Sequence, residues 1–246
     1  MREIWAYLAV DDVLARYKRT MLGPLWNTAY IVFTSISLAI VFGSLFRQPL
    51  RDTLPYILSG MIAWNLVALQ IMDSAALFTT HAGTVKVSNF PYFFYVMRSV
   101  ARSFLFFIHN LAAFFIVSLC IGHIPLIHWS AIPALVLGLA ITVPFSMLTG
   151  MAGARYRDVL QFFANLAGLL FFLTPIFWRP ETISGPRKLI YQLNPFYYVI
   201  ELVRLPLLNS PASMVVWEGS AAILVAGVLI CAFFFTLYRS RISYWV

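Results

Sequence analysis

Few side chains in this sequence have types and spacings suited to making or breaking a covalent bond. The four histidines, His81, His109, His123 and His128, show no spacing suited to a metal. Cys120 and Cys231 lie in apolar runs and read as buried thiols acting as small hydrophobes. No Gly-x-x-x-x-Gly-Lys-Ser/Thr run occurs, so no nucleotide is expected on a P-loop of this chain. Asp73, His109, Asn110 and Asn165 interrupt apolar stretches, where polar groups are costly and mark function by default. They are too scattered for a proton relay. Two aromatic stripes remain. Trp26, Tyr30 and Phe33 share one helical face at i, i+4, i+7, and Phe162, Asn165, Leu169 and Phe172 form a similar stripe with one polar member. Either stripe can be packing, an interfacial belt or the lining of a path.

The elements that must position these residues are membrane helices. Of 246 residues, 61% are hydrophobic and only 11% charged, whereas a soluble domain carries about 25% charged residues. A mean hydropathy of +0.84 agrees. These values exclude a soluble enzyme, a secreted disulfide scaffold and a disordered chain. The fold class expected is an all-α membrane protein with six transmembrane helices, an N-terminal interfacial amphipathic helix and short re-entrant helices between spans five and six. Largely uncharged stretches predict spans at 25–46, 56–78, 103–121, 129–150, 159–178 and from about 220 to 238. Each is long enough for a hydrocarbon core of about 30 Å. The segment from Lys188 to Glu201 is too short to span yet too apolar for a solvated loop, which suits short helices that dip in and turn back. The chain then reads as one transmembrane domain, 1–246: a 1–24 interfacial segment, spans one to five over 25–178, an external re-entrant segment over 179–218, span six over 219–238 and a tail over 239–246.

Six spans put both termini on one side. The side holding the N-terminus collects Arg2, Arg16, Lys18, Arg19, Lys86, Arg98, Arg102, Arg155, Arg157, Arg239 and Arg241. The other collects Arg47, Arg51, Arg179, Arg187, Lys188 and Arg204. The positive-inside bias therefore predicts both termini in the cytoplasm, and the basic excess points to anionic lipid rather than to nucleic acid. No secretory signal is expected, because Asp11, Asp12, Arg16, Lys18 and Arg19 break up the start of the chain. Val10, Val13, Leu14, Tyr17 and Met21 predict the apolar face of an interfacial helix, with Asp12, Arg16 and Arg19 opposite. Arg16, Lys18 and Arg19 are then expected at lipid phosphates. Gly23-Pro24 turns the chain into the membrane. After the second span, Lys86 and Asn89 precede Phe90-Pro91-Tyr92-Phe93-Phe94. A loop this aromatic must be covered, by lipid or by a docked cytosolic protein.

Three motifs together resemble one family. Arg16-Tyr17-Lys18-Arg19-Thr20-Met21-Leu22-Gly23-Pro24-Leu25-Trp26 resembles the entry to the first span of type-2 ABC exporter permeases. Arg155-Tyr156-Arg157-Asp158-Val159 resembles that family's short loop before span five. Thr174-Pro175-Ile176-Phe177-Trp178, with Leu193-Asn194-Pro195-Phe196-Tyr197-Tyr198-Val199-Ile200-Glu201-Leu202-Val203-Arg204, is similar to the external region of its polysaccharide branch, which exports O-antigen, capsule and teichoic-acid polymers. The resemblance is nearest to O-antigen permeases of lipopolysaccharide biosynthesis.

That resemblance implies a multi-pass permease of the bacterial inner membrane that is not an enzyme. It would form a homodimer with two copies of a cytosolic ABC ATPase subunit. It implies no cofactor on this chain, with ATP and Mg held by the ATPase. The substrate would be a lipid-linked polysaccharide of O-antigen type; the alternatives are a capsule or teichoic-acid exporter or a drug or lipid exporter, and a membrane enzyme would instead show a clustered acid, base or metal set. Lys86, Asn89, Phe90, Pro91 and Tyr92 would couple to the ATPase, although Tyr92 stands where a basic residue often follows the proline. Trp26, Tyr30, Phe33, Phe162, Asn165 and Phe172 would line the polysaccharide path. Asn194, Pro195, Tyr197, Tyr198, Glu201 and Arg204 would form the external re-entrant region. The topology is testable with single cysteines. Ser88→Cys and Ser240→Cys should label from the cytoplasm only, and Ser184→Cys from outside only. Labelling of positions 88 and 184 from one side would refute six spans.

Overall fold

The computed structural model describes residues 4–16, 21, 23, 25–87, 90–122 and 124–246, and among them every regular element is a helix. Those longer than five residues are, in chain order, α1 Ile4–Arg16, α2 Leu25–Leu45, α3 Leu50–Thr80, α4 Ala82–Val87 and α5 Tyr92–Cys120. Then come α6 Ala131–Arg155, α7 Val159–Leu173, α8 Pro195–Leu207 and α9 Met214–Tyr238. Five helices are long and apolar enough to cross a membrane: α2, α3, α5, α6 and the run Met214–Trp245 that contains α9. α3 and α6 run in the same direction, with Ile71 meeting Thr149 and Ala75 meeting Gly153. One end of the bundle carries α1, α4 and the chain's last turns; the other carries α8.

The predicted fifth span, 159–178, is helical only as far as Leu173. Fifteen residues cover about 22 Å, short of a bilayer core. The cause is local. Thr174 precedes Pro175, and the proline ring forces its predecessor out of helical backbone; Thr174 sits at φ −89° and ψ 138°. Elsewhere the helices outrun the charge-free windows. α3 begins six residues before the predicted 56, and α5 begins at Tyr92, taking in Arg98 and Arg102. A charged side chain can join a helix where that helix leaves the apolar layer.

α3 is the central element. In its most apolar stretch 89% of residues are buried inside the protein, against 11–39% for the other four long helices. Such a helix has no lipid face, which accounts for apolar residues around its whole circumference. It is also irregular, widening to a π-turn at Asn65–Leu69 and tightening to a 3₁₀-turn at Ser74–Ala76. α6 crosses at the tightened turn with its backbone nearly touching. A Cβ on Gly153 would lie 1.9 Å from the Ala75 carbonyl oxygen. One turn earlier, the Thr149 hydroxyl donates to the Ile71 carbonyl at 2.8 Å.

α1 lies along α5. Ala9 and Val13 are buried, whereas Tyr7, Val10 and Leu14 are exposed. Asp12, expected on the water-facing side, instead accepts two hydrogen bonds from Arg98, at 2.6 and 2.5 Å. A guanidinium fork offers a carboxylate better-matched donors than interfacial water does. Lys18, Arg19 and Asn89 lie outside the described residues, as does the side chain of Arg16.

Gly153 and Gly168 make a matched pair of test positions. Gly153→Val should lower thermal stability in detergent by about 2 kcal/mol or more, because overpacking forces the crossing apart. Gly168→Ala, where an added Cβ meets nothing within 4 Å, should leave stability unchanged or slightly raised. Equal melting temperatures for the two variants would contradict the crossing.

Candidate functional site

The first candidate is a groove of about 260 Å³ between α2, α3 and α7, lined by Tyr30, Thr34, Trp64, Asn65, Phe171 and Phe172 among others. Three causes build it. The π-turn starting at Asn65 displaces the α3 backbone near the middle of that helix. Gly168 removes side-chain bulk from α7. Trp64 meets Phe171 edge-on, with ring centroids 5.7 Å apart at 74°, and this contact fixes the wall. Two of the sequence-derived path residues, Tyr30 and Phe172, line this groove, both more than half exposed. Trp26, Phe33 and Phe162 are more than half exposed on the flanking surfaces of α2 and α7. Asn165 is also exposed and accepts a hydrogen bond from Gln161 at 3.2 Å. Trp64, Asn65 and Phe171 escaped sequence reasoning, since nothing in an apolar run announces a π-turn.

Rings of this kind present flat apolar faces. Thr34, Asn65 and the Tyr30 hydroxyl add hydrogen-bonding groups at the groove edge. That combination suits a ligand with C–H faces and hydroxyl edges. Among the described residues no cluster of three or more His, Cys, Asp or Glu could hold a metal.

Behind the groove, where the chain leaves α7, lies a buried polar cluster. Arg204 of α8 is fully buried and donates to both oxygens of Glu201, one turn back on the same helix. Its Nη1 also donates to the Pro175 carbonyl at 2.6 Å. The guanidinium lies 4.1 Å from the centre of the Tyr56 ring of α3, and Tyr56 in turn donates to the Trp178 carbonyl at 3.2 Å. Asn194 does two jobs. Its amide nitrogen donates to Thr174 Oγ1 at 2.8 Å, and its oxygen caps α8 by accepting from the Phe196 N–H at 3.0 Å. Pro195 follows at the first helical position, where a missing N–H costs nothing. Tyr197 leans on Tyr191 with centroids 4.8 Å apart, and Tyr198 donates to the Gln192 carbonyl at 2.8 Å. Sequence reasoning named the α8 members of this cluster but missed Tyr56.

At the opposite end, α4 and the start of α5 form the segment expected to couple to an ATPase. Phe90 is stacked on Phe94, with centroids 4.5 Å apart and planes at 10°. Tyr92 packs edge-on against Phe78. The outward surface is made instead by Lys86, Val87, Pro91 and Phe93, of which Val87 is 86% exposed. Phe90 and Tyr92 thus shape this elbow from inside.

The family described as ABC-2 type transporter matches residues 5–208, from α1 to the end of α8. This chain belongs to that family and is a multi-pass membrane protein. Two relatives, each named O-antigen export system permease protein RfbA, from Klebsiella pneumoniae, are 24% and 23% identical to it. Both likenesses run over 191 residues, 77% of this chain and 74% of each relative.

The buried cluster yields a stability prediction. Arg204→Met strands Glu201 without a counter-charge and should cost about 3–5 kcal/mol. Adding Glu201→Leu should recover only part of this loss, because the Pro175 carbonyl still lacks its donor. Thermal unfolding of both variants in one detergent checks the order; a double variant as stable as the parent would remove the carbonyl from the account.

Proposed function

We propose that this chain is the membrane subunit of an ATP-driven exporter that moves a lipid-linked polysaccharide of O-antigen class outward across the bacterial inner membrane. The observation that carries this reading is the groove of Tyr30, Trp64, Phe171 and Phe172, seen beside the likeness to relatives named for O-antigen export. A repeating glycan can slide along such rings, because each ring holds one sugar face weakly and the next sugar offers the same face. The exposed aromatic stripes of α2 and α7 lie on either side of the groove, so a second copy set against them closes it into a path. Trp26, Phe33, Phe162 and Asn165 would then face that path as well.

In this reading the α1 end is cytoplasmic, and α7 with residues 174–178 makes the fifth of six crossings. Arg16, Lys18 and Arg19 sit at lipid phosphates. Two cytosolic ATPase subunits supply ATP, Mg and the drive. They dock on the elbow through Lys86, Val87, Pro91 and Phe93, while Phe90 and Tyr92 brace it from behind and Asn89 completes the loop. On the far side Asn194, Pro195, Tyr197, Tyr198, Glu201 and Arg204 hold the re-entrant region that closes the outer mouth. The chain itself makes and breaks no covalent bond.

Replacing Tyr30 and Phe33 together by leucine keeps apolar bulk and removes two ring faces. Surface polymer should fall about fivefold or more, from the loss of stacking contacts of about 0.5–1.5 kcal/mol each. Expression, dimerisation and ATPase association should persist. Unchanged polymer export by this double variant would remove α2 from the path.

A further inference from the structure

A second cavity, of about 380 Å³, opens at the α1 end between α6 and α9, apart from the aromatic groove; the last turns of the chain, which carry its Trp245, also touch α4 of the elbow. Its floor is apolar and is made by Leu148, Met151 and Phe234, which belong to two of the long membrane helices. Its rim is made by Arg155, Tyr156, Tyr238 and Trp245. Leu148 and Arg155 stand seven residues apart on α6, so the cavity runs about 10 Å along the helix axis, from apolar depth to a charged rim.

The rim has a specific geometry. The Arg155 guanidinium carbon lies 5.2 Å from the Tyr156 ring centre, 5.1 Å from Trp245 and 6.0 Å from Tyr238. Its Nε donates to the Tyr156 hydroxyl at 2.8 Å. Aromatic rings engage the flat faces of a guanidinium and hold it in place. The two η nitrogens stay open: among the described residues neither has a hydrogen-bond acceptor, and no carboxylate lies within ion-pair distance of Arg155. Arg157, Arg239 and Arg241, all exposed, add positive charge on either side in the chain.

An oriented guanidinium with open η donors recognises a phosphate oxygen pair. Tyrosine and tryptophan at the rim mark headgroup depth. The apolar floor beneath accepts the first methylenes of an acyl chain. The geometry points to a binding site for an anionic phospholipid in the leaflet at the α1 end, with its phosphate on Arg155 and an acyl chain along Leu148, Met151 and Phe234. This site does not rest on the export reading, since it needs only a bilayer.

The test uses the full chain purified in mild detergent, with bound lipid counted by native mass spectrometry after addition of dioleoyl phosphatidylglycerol or dioleoyl phosphatidylcholine. The parent should retain one phosphatidylglycerol per chain in preference to phosphatidylcholine. Arg155→Gln should lower that retention about tenfold or more, the loss expected when a charge-assisted contact is removed. Arg155→Lys, which keeps the charge but not the fork, should fall between the two. Arg187→Gln, an exposed arginine at the far end, should behave as the parent. Glycerol 3-phosphate alone should not compete, because it lacks the acyl chain; effective competition would reassign the site to a free phosphate. If both Arg155 variants retain phosphatidylglycerol like the parent, the assignment fails. It fails equally if Arg155→Gln leaves lipid retention intact and instead releases a co-purifying protein subunit.

Discussion

A backbone that leaves helical geometry inside an apolar layer uncovers carbonyls that lipid cannot hydrogen-bond. This chain does so at Thr174-Pro175, and much of the surrounding architecture answers that demand. Arg204 donates to the Pro175 carbonyl, Tyr56 donates to the Trp178 carbonyl, and Asn194 ties Thr174 to the start of α8. A fully buried arginine is itself costly, and Glu201 on the preceding turn neutralises it. The interruption therefore requires α8 to sit against α3, and α3 in turn to carry a tyrosine there. A proline in one element dictates residues in two others.

The same logic explains why α3 is central and irregular. Its flanks must receive α2, α5, α6 and α8 at once, and a uniform α-helix presents only one pattern of ridges and grooves. The 3₁₀-turn at Ser74–Ala76 brings the backbone against Gly153, while the π-turn at Asn65–Leu69 opens the aromatic groove. One region of close approach and one of deliberate separation lie two turns apart on a single helix.

The α1 end is organised differently, by rings and charges rather than by backbone repair. Asp12 and Arg98 fasten α1 to α5 only a few residues beyond the Phe90-Phe94 stack. A displacement of the elbow thus acts on α5 and on α1 together. At the same end Arg155 gathers Tyr156, Tyr238 and Trp245, so the last turns of the chain pack onto α6 and touch α4. Both arrangements place guanidinium groups where a bilayer's polar boundary would lie.

The sequence by itself determined the class. Uncharged runs of membrane length and a scarcity of charged residues leave no soluble alternative, because composition alone sets the free energy of leaving water. The break after α7 and the α8 start are local too, a steric effect at Thr174-Pro175 and a cap at Asn194-Pro195, yet a reading by charge-free runs carried span five through to 178 and marked no helix start at Asn194. The sequence could not determine the spatial partners. Arg204 was legible as one basic residue of an external loop, but its burial against Tyr56 joins positions 148 residues apart in number, and no local pattern encodes such a meeting. Phe90 and Phe93 looked alike in sequence, yet only packing decided that Phe90 turns inward onto Phe94 while Phe93 remains outside. Of the two aromatic stripes, helical spacing gave the faces, but only the tertiary structure brought Tyr30 and Phe172 to one groove, because the π-turn and Gly168 that open it act through the contact of three helices.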